Sequence, residues 1–463
     1  MSNQQDDQQT QDQSKFYNLF GSGHAYVRRI REVAVKRADP FVACDLYALD
    51  NGQTRRFDVK VVGSEAEKQI LQLKADVEKG VRVAIEFRIS DIYAETYEDK
   101  DNAGQFKPSV KGRLLTARAA SGHLRIVGGG TKDFYGNTLQ GEPLEVRPLA
   151  GISSYEPTEL VVTVRAGTPL TELEAALAEQ GQHLAFEPPR FGPSCSVGGM
   201  VAAGLSGPAR AAAGSLRDHL LGATLLNGKG EVLSFGGQVM KNVAGYDVSR
   251  VLSGSMGVLG VICEVSLKVL PQPTASVTLR FDLDQARALN QLNAWGSQPL
   301  PISASALWNG TLVLRLAGAR AAVQTASQQL GGEAIDPALA AGFWRGLRDQ
   351  QDEFFTAAAQ AVESGAALWR LGMAQTAAPI TLPGEQLVEW GGAQRWLCTP
   401  AGAAQVRLAA VAAGGHATLF RGQDKSAGAF HPLTAPLARF HRELKKAFDP
   451  DRVFNRGRLY AEL

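Results

Sequence analysis

Cysteine, net charge and long apolar runs are the scarce features of this sequence, and each scarcity closes off a class of function. Only Cys44, Cys195, Cys263 and Cys398 occur, far apart and without Cys-x-x-Cys spacing. A zinc site, an iron–sulfur cluster or a redox pair therefore has no ligand set here, and a metal-free protein of a reducing cytoplasm is expected. A formal charge of +2 on 463 residues predicts no dominating attraction for nucleic acid or lipid, although a local basic patch fits within a neutral total. The N-terminus lacks a charged-then-apolar leader and no apolar run approaches bilayer length, so a soluble chain is expected.

What is present is ordinary globular composition, 44% apolar and 20% charged, in a chain too long for one core. Residues 1–13 are polar and low in complexity and read as a disordered tail. In residues 14–115, two β-rich runs flank Asp50-Asn51-Gly52, a hairpin signal, and Phe57, Val59 and Val61 continue the second strand. Ser64 with Glu67 reads as a capping box, and Ala66, Ile70, Leu73 and Val77 share a helical face up to Gly80. Val81, Val83, Ile85, Phe87 and Ile89 alternate as a half-buried strand does, and a last strand is expected near Val110 to Leu115. Strands, one helix and more strands predict a small closed β-barrel of the oligonucleotide-binding-like kind.

From residue 116 glycine and alanine become frequent, and strand and helix patterns alternate as in an α+β cofactor domain, placed at residues 116–272. Thr168-Pro169 opens a helix with Pro at its first position, burying Leu170, Leu173 and Leu177 and ending near Gly181. Cys263, Val265, Leu267 and Val269 form a strand face that stops at Pro271. An alanine-rich region, residues 273–430, suits an α+β cap over a cofactor. Residues 431–463 form a C-terminal segment in which Leu437, Phe440, Leu444 and Phe448 share a helical face before Asp449-Pro450.

Four stretches carry chemistry. In the first, the strand Arg125-Ile126-Val127 runs into Gly128, Gly129 and Gly130 and then Thr131, Lys132 and Asp133. Backbone N–H groups free of side chains converge well on phosphate, and Thr131 and Lys132 add a hydroxyl and a charge; the same glycines also suit a plain turn. The second, Ser196 to Gly207, packs Gly198, Gly199, Gly204, Ser206 and Gly207 so densely that a ligand or a neighbouring helix must approach its backbone closely. Ser215, Arg217 and Asp218 follow it. The third is Val239 to Asp247, with Lys241, Asn242, Gly245 and Tyr246, and the fourth is Leu252 to Ile262, with Gly257, Gly260 and Val261. Glycine spacing in the fourth is not that of a Gly-x-Gly-x-x-Gly dinucleotide fingerprint, which disfavours a Rossmann reading.

In order and spacing the four stretches resemble the flavoprotein superfamily of vanillyl-alcohol oxidase and p-cresol methylhydroxylase. Within it the chain from about Leu124 onward is similar to the family of FAD-binding subunits of glycolate oxidase. Tyr155-Glu156-Pro157-Thr158-Glu159-Leu160, Phe186-Glu187-Pro188-Pro189, Leu382-Pro383-Gly384-Glu385-Gln386, Gly414-Gly415-His416-Ala417-Thr418 and Phe454-Asn455-Arg456-Gly457-Arg458 strengthen the likeness. The resemblance implies FAD, with Gly128 to Asp133 on the pyrophosphate and Gly198, Gly199, Gly204, Ser206 and Gly207 along the flavin. Ser215, Arg217, Asp218 and Gly257 would join the cofactor set, and Gly260 and Val261 would touch the adenosine end. Asn242, Gly245 and Tyr246 would either contact the cofactor or order a loop beside the flavin ring.

Some members of the superfamily bind flavin covalently through histidine; no histidine lies in Gly128 to Asp133, so dissociable FAD is expected. The implied reaction is hydride transfer from a 2-hydroxy acid such as glycolate to flavin, giving a 2-oxo acid. It needs a cation for the carboxylate and a base for the hydroxyl proton. His416 is the candidate base and His431 a poorer one, each also readable as a structural histidine. Related hydroxy-acid dehydrogenases carry a fuller His/Asp/Gly/Asn pattern where this chain has Ala417-Thr418-Leu419. The resemblance also implies a second flavin subunit and an iron–sulfur subunit as partners, in the cytoplasm or at the inner membrane through them.

Residues 14–115 resemble a small family of integrative conjugative elements, related to single-strand DNA binding, through Phe16-Tyr17-Asn18-Leu19-Phe20, Arg28-Arg29-Ile30-Arg31, Phe57-Asp58-Val59, Ile89-Ser90-Asp91-Ile92-Tyr93 and Lys111-Gly112-Arg113. Phe16, Tyr17, Tyr26 and the arginines suit either base stacking or a barrel core. Two alternatives follow: a single-stranded-DNA module carrying an idle flavoprotein part, or a flavin reductase of cell-wall precursor synthesis on the same fold.

Overall fold

The computed structural model describes residues 21–35, 38–50, 53–81, 83–98, 106–119, 123–237 and 247–463. The chain divides after Ala120 into two compact units, each treated by itself. Among the described residues no helix is long and apolar enough to cross a membrane.

In the first unit β1 (Gly21–Val35), β2 (Ala38–Asp50) and β3 (Gln53–Val61) form an antiparallel meander in which Asp50 pairs with Gln53. The expected hairpin residues Asn51 and Gly52 lie outside the described residues. After α1 (Ser64–Gln72) and α2 (Lys74–Glu78) come β4 (Val83–Glu98) and β5 (Phe106–Ala119). β5 pairs in parallel with β3 and antiparallel with β4, and β4 returns to β1, which closes a five-stranded barrel. Alternate residues point inward, so Val27, Leu46, Val59, Ile85 and Leu114 fill the interior with Ile70 of α1.

Three local expectations are corrected here. Gly63, at φ 100°, takes the cap position without any side-chain cap, because Ser64 already lies in the first turn. The helix divides at Leu73 instead of running through to Gly80, although Leu73 and Val77 still pack on the core. Val81 is 52% exposed and precedes β4, so the inward alternation starts at Val83.

The second unit begins with a short parallel pair, β6 (Leu124–Val127) and β7 (Glu142–Glu145). β8 (Ile152–Glu156), β9 (Val161–Arg165), α3 (Leu170–Glu179), β10 (Gln182–His183), α4 (Val197–Ala203), α5 (Arg210–Ala213), α6 (Leu216–His219), β11 (Leu220–Asn227), β12 (Val232–Gly236) and β13 (Gly260–Lys268) follow. Five of these strands make an antiparallel sheet in the order β12-β11-β13-β9-β8, and β10 pairs with β14 (Leu270–Pro271). Leu170, Leu173 and Leu177 of α3 are fully buried against this sheet. Pro169 is the residue before the helix and not its first residue.

A larger antiparallel sheet then forms from β15 (Ala275–Asp282), β16 (Ile302–Trp308), β17 (Thr311–Gly318), β18 (Glu333–Ala334), β19 (Ala367–Gly372), β20 (Glu385–Glu389), β21 (Gln394–Thr399) and β22 (His416–Arg421). Its order is β18-β15-β17-β16-β20-β21-β19-β22. The helices interleaved with these strands bury one face each, as Leu289 and Leu292 do in the Gln285–Gly296 helix.

The last helix runs Ala435–Phe448, and only the C-terminal half of its apolar stripe meets the core. Leu444 and Phe448 pack, whereas Leu437 and Phe440 are 52% and 78% exposed. Beyond it the chain returns to β6: Leu124 bridges Phe454, and the Leu124 N–H donates to the Val453 carbonyl at 2.7 Å. The architecture is α+β throughout this unit.

Candidate functional site

The glycine stretch after β6 borders a cavity of about 90 Å³. Gly128 to Asp133 form one wall, Ser196, Gly199 and Ala202 of the second stretch another, and Met256 of the fourth a third. Asn455 and Arg458 close it. A second cavity, of about 620 Å³, takes Gly204, Ser206, Ser215, Arg217 and Ser253 on one side and residues of β19, β21 and β22 on the other. The two cavities lie to either side of the step from Ala203 to Gly204, where α4 ends with Gly204 at φ 63°.

The tight glycines have different reasons for being glycine. A Cβ on Gly129 would lie 1.5 Å from the Ser194 carbonyl oxygen, and one on Gly198 would lie 2.7 Å from the Ala166 Cβ. Backbone packing alone demands both. Gly199 is different: only the Ser196 Oγ, at 3.2 Å, comes near, and the position faces the smaller cavity. Of the remaining expected cofactor residues, Gly207, Asp218, Gly257, Gly260 and Val261 line neither cavity. Gly207 and Gly260 meet the Glu187 and Leu226 carbonyls, Gly257 meets Asn455, and Asp218 closes a capping box with Ser215. Val261 is buried within β13. Asn242, Gly245 and Tyr246 lie outside the described residues.

Lys132 borders the smaller cavity, but its ammonium is turned inward, 2.9 Å from the Cys195 Sγ and 3.4 Å from the Arg190 carbonyl. Arg458 holds the loop from behind: its guanidinium donates to the carbonyls of Asp133 at 2.9 Å, Lys132 at 3.3 Å and Asn137. Burial pushes this guanidinium down to about 10. Asn455 accepts from the Ile126 N–H at 2.8 Å and donates to the Met256 carbonyl at 2.6 Å. The wall of backbone at Gly128 to Gly130, open toward the cavity at Gly130 and Gly199, fits a phosphate group, and no side chain fills it.

His416 starts β22 and lines the larger cavity. Its ring lies over Gly372, where a Cβ would come within 2.7 Å of the imidazole. Burial, then Arg370 and His431, push its pKa below the ordinary histidine value, so the ring is neutral in neutral solution. His431 stands behind it with a ring-to-ring separation of 6.4 Å, and its Nδ1 is 3.4 Å from the Ala417 N–H. Among the described residues no group of three or more His, Cys, Asp or Glu side chains could hold a metal.

Sequence reasoning missed Arg210 and Arg370, which border the larger cavity, and gave Asn455 and Arg458 no role. A lone cation inside Ala209-Arg210-Ala211-Ala212 was a usable signal; Arg370, inside an ordinary strand pattern, offered none.

A sequence-family model described as an FAD binding domain matches residues 109–236, and one described as a protein of unknown function, DUF3577, matches residues 10–121. Glycolate oxidase subunit GlcE of Escherichia coli (strain K12) is 48% identical over 340 residues, covering 73% of this chain and 93% of that protein. The mitochondrial D-lactate dehydrogenase [cytochrome] of Arabidopsis thaliana is 31% identical over 32% of this chain and 26% of its own length. Glycolate oxidase subunit GlcD of Bacillus subtilis (strain 168) is 30% identical over 26% of this chain and 25% of its own length.

Proposed function

The chain belongs to the family of glycolate oxidase subunit GlcE, and from that premise we propose how its residues serve a flavin-dependent oxidation of glycolate. It is an FAD-binding oxidoreductase subunit. In this reading the cofactor domain expected at residues 116–272 begins after Ala120, since β5 runs on to Ala119; completed by 431–463 it holds the cofactor, and residues 273–430 cap it. Gly128 to Asp133 receive the pyrophosphate on backbone N–H groups, Gly199 and Ala202 flank it, and Gly204, Ser206, Ser215 and Arg217 line the way toward the ring. FAD is held without a covalent bond and, when bound, supplies the acceptor for the hydride that leaves the α-carbon of the hydroxy acid. His416, neutral and on the cap side of the larger cavity, takes the hydroxyl proton.

The observation that carries this reading is the convergence of three sequence-distant small-residue stretches on one cavity. The test is direct. The purified chain should be yellow and release free FAD on denaturation, and with its partner subunits it should support glycolate-dependent dye reduction. A folded, colourless chain that takes up no added FAD would defeat the reading.

The multi-subunit assembly is supported by the GlcE and GlcD relatives, each named as a subunit. We assign this chain two partners in the cytoplasm, a second flavin subunit and an iron–sulfur subunit that carries electrons onward. The relatives give no support to an idle flavoprotein part.

A second reading concerns the barrel alone. On the outer face of β1 to β3, Tyr26 pairs opposite Tyr47, Arg28 stands 5.1 Å from the Tyr47 ring and Lys60 stands 4.4 Å from the Phe41 ring. Arg29, Arg31 and Arg56 are bound to the buried Asp45. Rings beside cations suit single-stranded nucleic acid. Salt-sensitive binding of a labelled single strand by the full chain tests it, and no binding at low salt ends it.

A further inference from the structure

A third cavity, of about 390 Å³, shares no residue with the two described above. One wall belongs to β16, β17 and β20 and carries Trp308, Val313 and Leu387. The other is the connection from the Pro337–Asp349 helix to the Glu353–Glu363 helix, with Phe343, Asp352 and Glu353. Its size falls in the range of small-molecule pockets, roughly 300–1,000 Å³.

The second wall gives this space a sign. Asp352 caps the Glu353–Glu363 helix with Oδ1, which accepts from the Phe355 N–H at 3.0 Å. Oδ2 of the same carboxylate is buried and accepts from no donor among the described residues. Burial raises the pKa of this carboxyl above the ordinary aspartate value, against the helix N–H groups that favour its charged form. Glu353 adds a second carboxylate, and among the described residues no lysine, arginine or histidine lines the cavity. The helix N-terminus offsets about half of one charge, which leaves the wall negative. Arg345 and Arg348 of the preceding helix border a different cavity, and Arg348 is paired with Asp349.

Aromatic rings complete the lining. The Trp308 indole N–H donates to Glu385 at 3.3 Å, and its ring meets Phe354 edge to face with 6.2 Å between centroids. Ring faces attract cations, and a carboxylate oxygen without a donor gains most from a charged one. Val313 and Leu387 favour an apolar body behind that charge.

We propose that this cavity binds a small organic cation: a primary ammonium that donates to Asp352 Oδ2 beside the Trp308 ring, carried on an apolar body that covers Val313 and Leu387. The proposal does not depend on how FAD is held.

The test titrates the full chain with benzylammonium, benzyl alcohol and benzoate at neutral pH and fixed ionic strength, three ligands of similar shape that differ in charge. Calorimetry should place the ammonium about tenfold or more above the alcohol, the scale of one desolvated charge contact, with benzoate weakest. Asp352→Asn should remove most of this advantage and leave melting unchanged, because asparagine caps a helix as well as aspartate does. Trp308→Leu should weaken the ammonium more than the alcohol; it leaves the helix cap intact and decides the matter if Asp352→Asn lowers the melting temperature. Equal binding of ammonium and alcohol overturns the proposal, as does binding of none of the three. An advantage that survives both variants places the cation elsewhere and overturns it too.

Discussion

Asn455 donates through Nδ2 to the Met256 carbonyl at 2.6 Å, a bond that joins residues 199 positions apart. The same side chain accepts from the Ile126 N–H at 2.8 Å, so one amide fixes β6 to the fourth small-residue stretch. Asn455→Ala would leave both backbone groups without this partner, at a cost of about 1–3 kcal/mol each. The expected result is a lower melting temperature by calorimetry together with faster loss of flavin on gel filtration. Unchanged melting would show that water replaces the amide.

Gly129 and Gly199 should respond in opposite ways to the same added methyl. At Gly129 the methyl would meet the Ser194 backbone at 1.5 Å, which cannot yield cheaply, so Gly129→Ala should cost the unit its fold and with it the flavin. At Gly199 the methyl meets only a hydroxyl at 3.2 Å and lies in a helix, where alanine is favoured over glycine by about 1 kcal/mol. Gly199→Ala should therefore fold normally and bind FAD more weakly, as read by circular dichroism and flavin fluorescence. The same behaviour in both variants would contradict the placement of the cradle.

Glu389 gives the protein a pH dependence of stability. Burial pushes its carboxyl up to about 7, against the donors Trp396 and Gln394 that favour the charged form. A folded value above the unfolded one means that the native state holds the proton more tightly. The stabilisation is complete below about pH 4.3, the ordinary glutamate value, and is lost as pH rises through about 7. Melting curves taken between about pH 5 and 8 should show a smaller decline for Glu389→Gln than for the parent. Parallel declines would remove Glu389 as the cause.

His416→Asn should slow glycolate-dependent reduction in the assembled complex by about 10²-fold or more, the usual worth of a positioned base, with the flavin spectrum unaltered. Because burial, Arg370 and His431 lower the pKa, the acid limb of the parent's rate profile should lie below the ordinary histidine value of about 6.5. His431→Asn should have the smaller effect. A His416 variant with full activity would return this residue to a structural role.

Much of the fold was legible because burial periodicity is local. Leu170, Leu173 and Leu177 announce their helix, and Val59, Ile85 and Ile89 announce strands. The closure of the barrel was only suggested, since the parallel pairing of β3 with β5 joins residues such as Val59 and Gly112 that share no local signal. The candidate site was legible where bare backbone borders a cavity, as at Gly128 to Gly130. Gly198 and Gly199 nevertheless look alike in sequence, and only the presence of Ala166 beside one of them separates packing from cavity. Arg370 stayed hidden because its meaning comes from what stands across the space. The stripe of Leu437, Phe440, Leu444 and Phe448 was legible as one helical face, but periodicity alone does not say which of them a neighbouring layer covers, and Phe440 is 78% exposed.

The clasp formed by Arg458 on the Lys132 carbonyl spans 326 positions. A nascent chain that has emerged as far as the Ala435–Phe448 helix already carries every glycine of the Gly128–Gly130 loop, held by Ser194 and Lys425 but not yet by Arg458. The loop therefore gains its last support late in folding, through contacts that span most of the second unit and form only after its helices and sheets are in place.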